Sequence, residues 1–231
     1  MTMEMSPDEL FDKLRQEMVA GIVAHAVFAS GETGKAALSA RVLEVIGRVP
    51  RHEFVPAEIQ AYAYADTPLP IGFNKTISQP FIVALMTDLL EPRAEDTVLE
   101  IGTGLGYQAA VLTALVRHVY SVEIIEKLAA QAKKRLAGLG LRNVSLRTGN
   151  GYYGWPEHAP YDKVIVAAAP ELIPAPLLHQ LKPGGRMVLP AGLPESQKLL
   201  LVEKGGDGRI AAREVLRVRF SLMEGTEDAV G

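Results

Sequence analysis

Thr97-Val98-Leu99-Glu100-Ile101-Gly102-Thr103-Gly104-Leu105-Gly106-Tyr107 decides the fold. Its first five residues are apolar and β-rich, the composition of a strand covered on both faces. Three glycines then alternate through Gly102, Gly104 and Gly106, and an apolar run suited to a packed helix follows from Tyr107 to Val116. Strand, glycine-rich turn and helix make a cradle in which the backbone turns tightly, a ligand approaches closely and the helix start offers unpaired N–H groups. The next apolar run, Val119 to Glu123, ends in a carboxylate 21 residues after Gly102. An acid there, at the end of a second strand, suits a ribose diol.

The glycine spacing is G-x-G-x-G, without the G-x-G-x-x-G that clears room for a pyrophosphate, so a nicotinamide oxidoreductase is disfavoured. Glu100, two residues ahead of the first glycine, sets an anion near the turn. That favours a ligand with positive charge and no phosphate, and S-adenosylmethionine fits the description.

Outward from this centre, strands are expected at Val144–Arg147, Tyr161–Val166, Arg186–Pro190, Lys198–Glu203 and Glu214–Met223. Helices are expected at Glu126–Leu139 and Leu177–Leu181, with a turn over Lys182–Gly185. Strands alternating with helices, then a closing strand pair, indicate a doubly wound, mostly parallel α/β sheet. Upstream, Ser6-Pro7-Asp8-Glu9 reads as a capping box with Pro at the first turn. Leu10, Leu14, Met18 and Ile22 then mark one face of a helix reaching about Ala29. A second helix spans Ser39–Val49, and a third, opened by Pro80, runs from Phe81 to Leu90. Between them, Arg51–Pro80 is rich in proline, glycine and aromatics, an irregular segment of the kind that carries sites. The chain divides at Pro92 into an N-terminal helical, loop-rich cap and substrate region (1–92) and an α/β core with C-terminal strands (93–231).

Composition excludes several classes. The chain has 231 residues, 48% hydrophobic, with net charge −3 and no cysteine. That is an ordinary globular balance without a basic footprint for nucleic acid, and it rules out disulfides and thiolate catalysis. The start, MTMEMSPDEL, lacks a basic n-region, and the apolar patch Val19–Ala29 is too short to span a bilayer. A cytoplasmic monomer without membrane attachment is expected. His25, His52, His118, His158 and His179 show no ligand spacing, so no metal is expected. No G-x-S-x-G elbow is present. Gly31-Glu32-Thr33-Gly34-Lys35 reads as a loop that only imitates the tail of a phosphate loop: Ala29 and Ala36 stand where that motif needs glycine and Ser or Thr, and it follows a helix. Trp155, the single tryptophan, reads as loop packing.

Five stretches together resemble the protein-L-isoaspartate (D-aspartate) O-methyltransferases of the Rossmann-like class I methyltransferase fold, with its seven-stranded sheet. These are PLPIG (68–72) followed by TISQP (76–80), VLEIGTGLGYQAAVL (98–112), VYSVEI (119–124), GYYGWPEHAPYD (151–162) and LKPGGRMVLPAG (181–192). The resemblance implies repair of aged proteins, with S-adenosylmethionine methylating the free α-carboxylate of L-isoaspartyl residues and leaving S-adenosylhomocysteine. It implies Ser78 as the catalytic serine, with Ile77 beside it at the methyl donor. It places Glu100, Gly102, Thr103, Gly104 and Gly106 around the methionine part, Glu123 on the ribose, and Asn150 and Gly151 at the adenine. Its partners would be damaged proteins and peptides. The alternatives are methylation of another carboxylate or a small molecule, and a non-catalytic cofactor-binding module.

Departures from the family pattern are local. Asn150 stands where aspartate is usual, Val164–Pro174 has a shifted proline, Val19–Leu38 differs from the usual polar helix, and Val218–Gly225 lacks the proline of VRFVPL. The termini shape the peptide site in this family, so these differences bear on the acceptor more than on the cofactor.

Overall fold

The computed structural model describes residues 6–225; the first five residues of the MTMEMSPDEL start lie outside that range. In chain order the elements are α1 (Pro7–Phe28), α2 (Ser30–Thr33), α3 (Ala40–Ile46), β1 (Leu69–Gly72), β2 (Lys75–Ile77), α4 (Pro80–Leu90), β3 (Thr97–Ile101), α5 (Tyr107–Thr113), β4 (His118–Glu123), α6 (Glu126–Gly138), β5 (Val144–Thr148), β6 (Tyr161–Val166), α7 (Ala175–Gln180), β7 (Leu181–Ala191), β8 (Lys198–Lys204) and β9 (Ile210–Arg217). Short 3-10 turns fill Arg51–Phe54 and Ala57–Tyr62 in the segment expected to be irregular.

Seven strands form one sheet in the order β5-β4-β3-β6-β7-β8-β9. The first five are parallel, and β8 and β9 close it antiparallel. The chain starts in the middle at β3, winds outward to β5, then returns to β6 on the other side. The switch point therefore lies between β3 and β6, where such sheets bind ligands beyond their C-terminal strand ends.

Helix α1 starts as its capping box dictates: Glu9 N–H donates to Ser6 Oγ at 3.3 Å, and Ser6 N–H donates to Glu9 Oε2 at 2.8 Å. Met18, Ile22 and Ala26 are buried, whereas Leu10 is exposed because the first turn projects past the core. Helix α4 is buried at every position and is apolar except for Thr87 and Asp88, whose side chains are satisfied by the Val83 carbonyl and by Ser39 N–H and Lys35. One apolar cluster runs from Met18 and Val42 through α4 to Val98, Val188 and Val215, crossing the boundary expected at residue 92. A second cluster, with Leu99, Val164 and Met187, lies under α7 on the opposite face. No described helix is long and apolar enough to cross a membrane.

Four local expectations need correction. Helix α5 stops at Thr113, not Val116. Lys182–Gly185 is no separate turn but an irregular part of β7, where the register against β6 shifts. The last strand spans Ile210–Arg217 instead of Glu214–Met223. From Val218 the chain becomes a strap that doubles back over the sheet: Gln197 accepts from Phe220 N–H at 2.6 Å and donates to its carbonyl at 3.1 Å, and Leu222 bridges to Ala169. Finally, Gly31–Lys35 is no open loop but a single helical turn closed by left-handed Gly34, and Lys35 is engaged in an ion pair with Asp88.

Candidate active site

Beyond the C-terminal ends of β3, β4 and β6 lies a cleft partly open to solvent. Ile101, Gly102, Thr103 and Gly104 form its floor at the end of β3, Glu123 and Ile124 its side at the end of β4, and Ala167 the neighbouring edge. The hairpin β1–β2 supplies Lys75, Thr76 and Ile77 as one half of a roof, and the strap supplies Leu222, Met223 and Glu224 as the other. Lys75 Nζ and Glu224 Oε1, 2.5 Å apart, join the halves.

Glu123 is nearly buried and spans the glycine turn: its Oε2 accepts from Gly104 N–H at 2.7 Å and its Oε1 from Ile125 N–H at 3.0 Å. Burial raises its pKa, and those backbone donors work against the rise. Gly151 also faces the cleft, and any side chain there would drive Cβ to 2.3 Å from Ile101 Cγ2.

Three expected residues stand behind the lining. Glu100 is wholly buried in β3, where its Oε2 accepts from Ser121 Oγ, whose own partner is Thr103 Oγ1; its Oε1 has no partner among the described residues. Desolvation pushes its pKa up to about 8, which favours the uncharged acid over the anion expected beside the turn. Gly106 caps α5 at φ 100, and a Cβ there would meet Leu136 of α6 at 3.2 Å, so this glycine serves helix packing. Both ends of the Asn150 amide are engaged: Oδ1 accepts from Tyr152 N–H at 2.9 Å and Nδ2 donates to the Gly225 carbonyl at 2.9 Å. An aspartate would keep the first contact and lose the second, so the Asn150 departure ties down the strap.

The Glu100 environment has a pH consequence. Its folded pKa exceeds the unfolded value, so the unfolded chain binds fewer protons as pH rises and stability is lost between about 4.5 and 8. Glu100→Gln removes that slope. The melting temperature of the variant minus that of the native chain should grow from pH 5 to pH 8, as read by thermal unfolding across about four buffers. A flat difference would mean that Glu100 is ionised in the fold.

Ser78 sits between β2 and α4 and is half-buried. Its hydroxyl has no hydrogen-bond partner among the described residues, while its carbonyl accepts from Arg51 Nη2 at 2.7 Å. A second cavity opens on its other side, bounded by His25, Pro68, Gln79 and the residues from Leu216 at the end of β9 to Ser221 on the strap. Thr76, Ser78, Ala167 and Ser221 line both cavities and form the wall where they meet.

Two supports of this wall were not singled out in the sequence. Asp66 caps α4 in place of Gln79: it accepts from Phe81 N–H at 2.9 Å and from the Gln79 amide at 3.1 Å, and contacts His25 Nδ1 at 2.8 Å. Fully buried Arg51 donates to Ala63 and Ser78 carbonyls, and its guanidinium carbon lies 4.8 Å from the centre of the Tyr107 ring, coupling the Ser78 loop to the glycine turn. A lone arginine in an irregular segment gives no local signal for either contact.

The parallel sheet, the switch-point cleft and the acid at the end of β4 define a class I methyltransferase fold. The family model for protein-L-isoaspartate(D-aspartate) O-methyltransferase matches residues 24–227, and the chain belongs to that family. Protein-L-isoaspartate O-methyltransferase 1 of Polaromonas sp. strain JS666 is 62% identical over 94% of this chain and 92% of its own length. Protein-L-isoaspartate O-methyltransferase 2 of Syntrophobacter fumaroxidans is 56% identical over 94% of this chain and 89% of its own. A solved protein-L-isoaspartate O-methyltransferase superposes with TM-score 0.78 at 30% identity, over 91% of this chain and 66% of that one. A Plasmodium falciparum structure solved in complex with S-adenosyl-L-homocysteine shares the fold, with TM-score 0.71 at 19% identity over 88% of this chain and 97% of its own.

Proposed function

We propose that this chain methylates the free α-carboxylate of L-isoaspartyl residues in damaged proteins, with Ser78 positioning the acceptor between two cavities. The family activity is S-adenosylmethionine-dependent methyl transfer. The observation that carries the assignment of roles is the shared wall: Ser78 faces both cavities with an unpartnered hydroxyl. The first cavity fits the cofactor, with Glu123 available to a ribose, Gly102 to Gly104 to the methionine part, and Gly151 beside the adenine. Ile77, next to Ser78 in the chain, lines the first cavity.

When bound, S-adenosylmethionine supplies an electrophilic methyl group on a sulfonium. The acceptor carboxylate is already ionised near pH 7, so the chain needs no strong general base, and a neutral hydroxyl suffices to hold one oxygen. Ser78 would donate to that oxygen and leave the other in line with the methyl. Such orientation supplies up to about 7–11 kcal/mol of barrier reduction. Transfer turns a carboxylate and a sulfonium into two neutral groups, and a dry wall does not oppose that loss of charge. Ile71, Ile77, Ile101 and Val122 supply the apolar lining.

Methyl-labelled S-adenosylmethionine offered to matched peptides tests the reading. Label should enter the L-isoaspartyl peptide and leave the aspartyl peptide untouched. Cofactor binding without label on either would keep the fold and remove the repair activity.

A further inference from the structure

The acceptor cavity has a charge pattern that the composition of the chain does not predict. The protein carries 27 acidic against 24 basic side chains, excluding histidine, yet the second cavity is lined by Arg217, Arg219 and His25 and by no aspartate or glutamate. Asp66, which contacts the lining residue His25 at Nδ1, is also held by the Gln79 amide and Phe81 N–H. Arg217 ends β9 and Arg219 follows two residues later, with exposure alternating between them. Leu216, Val218 and Phe220 between and around them pack against the core, while both arginines are exposed. Among the described residues neither arginine side chain forms an ion pair or a hydrogen bond, and the adjacent Lys198 is paired with Glu214. The backbone that carries them is held: Val218 N–H donates to the Gln197 carbonyl at 3.2 Å, and the Gln197 side chain clamps Phe220 on both sides.

We propose that Arg217 and Arg219 make the acceptor cavity selective for isoaspartyl peptides that carry a second carboxylate beside the damaged residue. The inference rests on the reading of this cavity as the acceptor site. An arginine clamped on the reacting carboxylate would draw charge from the oxygen that must attack, whereas the Ser78 hydroxyl would not. Placed at the end of β9 and the start of the strap, at the cavity margin, the two guanidinium groups are instead free to meet a neighbouring side-chain carboxylate. Such groups discriminate by charge, attracting acidic flanks and repelling basic ones.

The test uses three L-isoaspartyl peptides differing only in a flanking Glu, Gln or Lys, with kcat/KM measured at low salt. Expected is the order Glu, Gln, Lys, with the Glu peptide favoured over the Gln peptide by about three- to tenfold, as two solvent-exposed charge contacts allow. Raising salt to about 0.5 M should compress the ratios. The double substitution Arg217→Gln with Arg219→Gln should flatten the order, and Arg217→Glu with Arg219→Glu should invert it. A native chain with no flank preference, a preference that salt leaves unchanged, or a double variant with the native order would each overturn the inference. These outcomes are separable from failure of the acceptor reading, in which none of the three peptides is labelled and the inference falls with its premise.

Discussion

Replacing Ser78 with alanine should lower kcat/KM for an isoaspartyl peptide by about 10- to 100-fold, the cost of a misplaced acceptor, while cofactor affinity stays within about twofold. The structure makes this substitution a clean probe. The Ser78 hydroxyl has no partner among the described residues, so its removal leaves no orphaned donor in the fold. The segment is held by its backbone, through Arg51 Nη2 to the Ser78 carbonyl, and that contact survives in Ser78→Ala. Thermal stability should therefore change little. Calorimetric titration with S-adenosylhomocysteine and steady-state methyl transfer, measured on the same preparation, separate the two effects. Equal losses in turnover and cofactor affinity would move Ser78 from the acceptor side of the wall to the cofactor side.

The contrast with Arg51 sharpens the argument. Truncating Arg51 would remove hydrogen bonds to Ala63 and Ser78 and the contact with Tyr107 together, leaving several buried groups unsatisfied. Loss of activity there would not distinguish a misplaced Ser78 from a damaged fold. The hydroxyl of Ser78 is informative because no other described residue is hydrogen-bonded to it.

What the sequence disclosed follows the range of the interactions involved. Thr97–Tyr107 was readable because strand, turn and helix are specified within eleven successive residues. The capping box of Ser6 and Glu9 is equally local. The hairpin β1–β2 was missed, since its turn is Phe73-Asn74, both at positive φ, without the Asn-Gly or Asp-Gly signature of such turns. Asp66 and Arg51 were missed because each acts across more than ten residues of chain. The family resemblance puts Asn150 at the adenine, but a distant partner, the Gly225 carbonyl, holds its amide. Glu100 shows a conflict that the sequence already contained. A strand covered on both faces also covers its carboxylate, and burial then favours the protonated form over a ligand-facing anion.

Glu123→Ala should weaken cofactor binding by about 1.5–3 kcal/mol for a lost charged hydrogen-bond acceptor, or roughly 10- to 150-fold in Kd. Its geometry raises a question the affinity alone does not answer. Glu123 supports the turn through Gly104 N–H and Ile125 N–H, so part of any loss belongs to a loosened loop. An analogue of S-adenosylhomocysteine lacking the ribose 2′ and 3′ hydroxyls separates the contributions. If Glu123 accepts from the diol, the native chain discriminates strongly against the analogue and Glu123→Ala binds both ligands about equally. If Glu123 serves only the turn, the substitution weakens both ligands by the same factor and the discrimination persists. In the second case the acid at the end of β4 would be a brace for the glycine turn, and the ribose contact would have to come from another group lining the cleft.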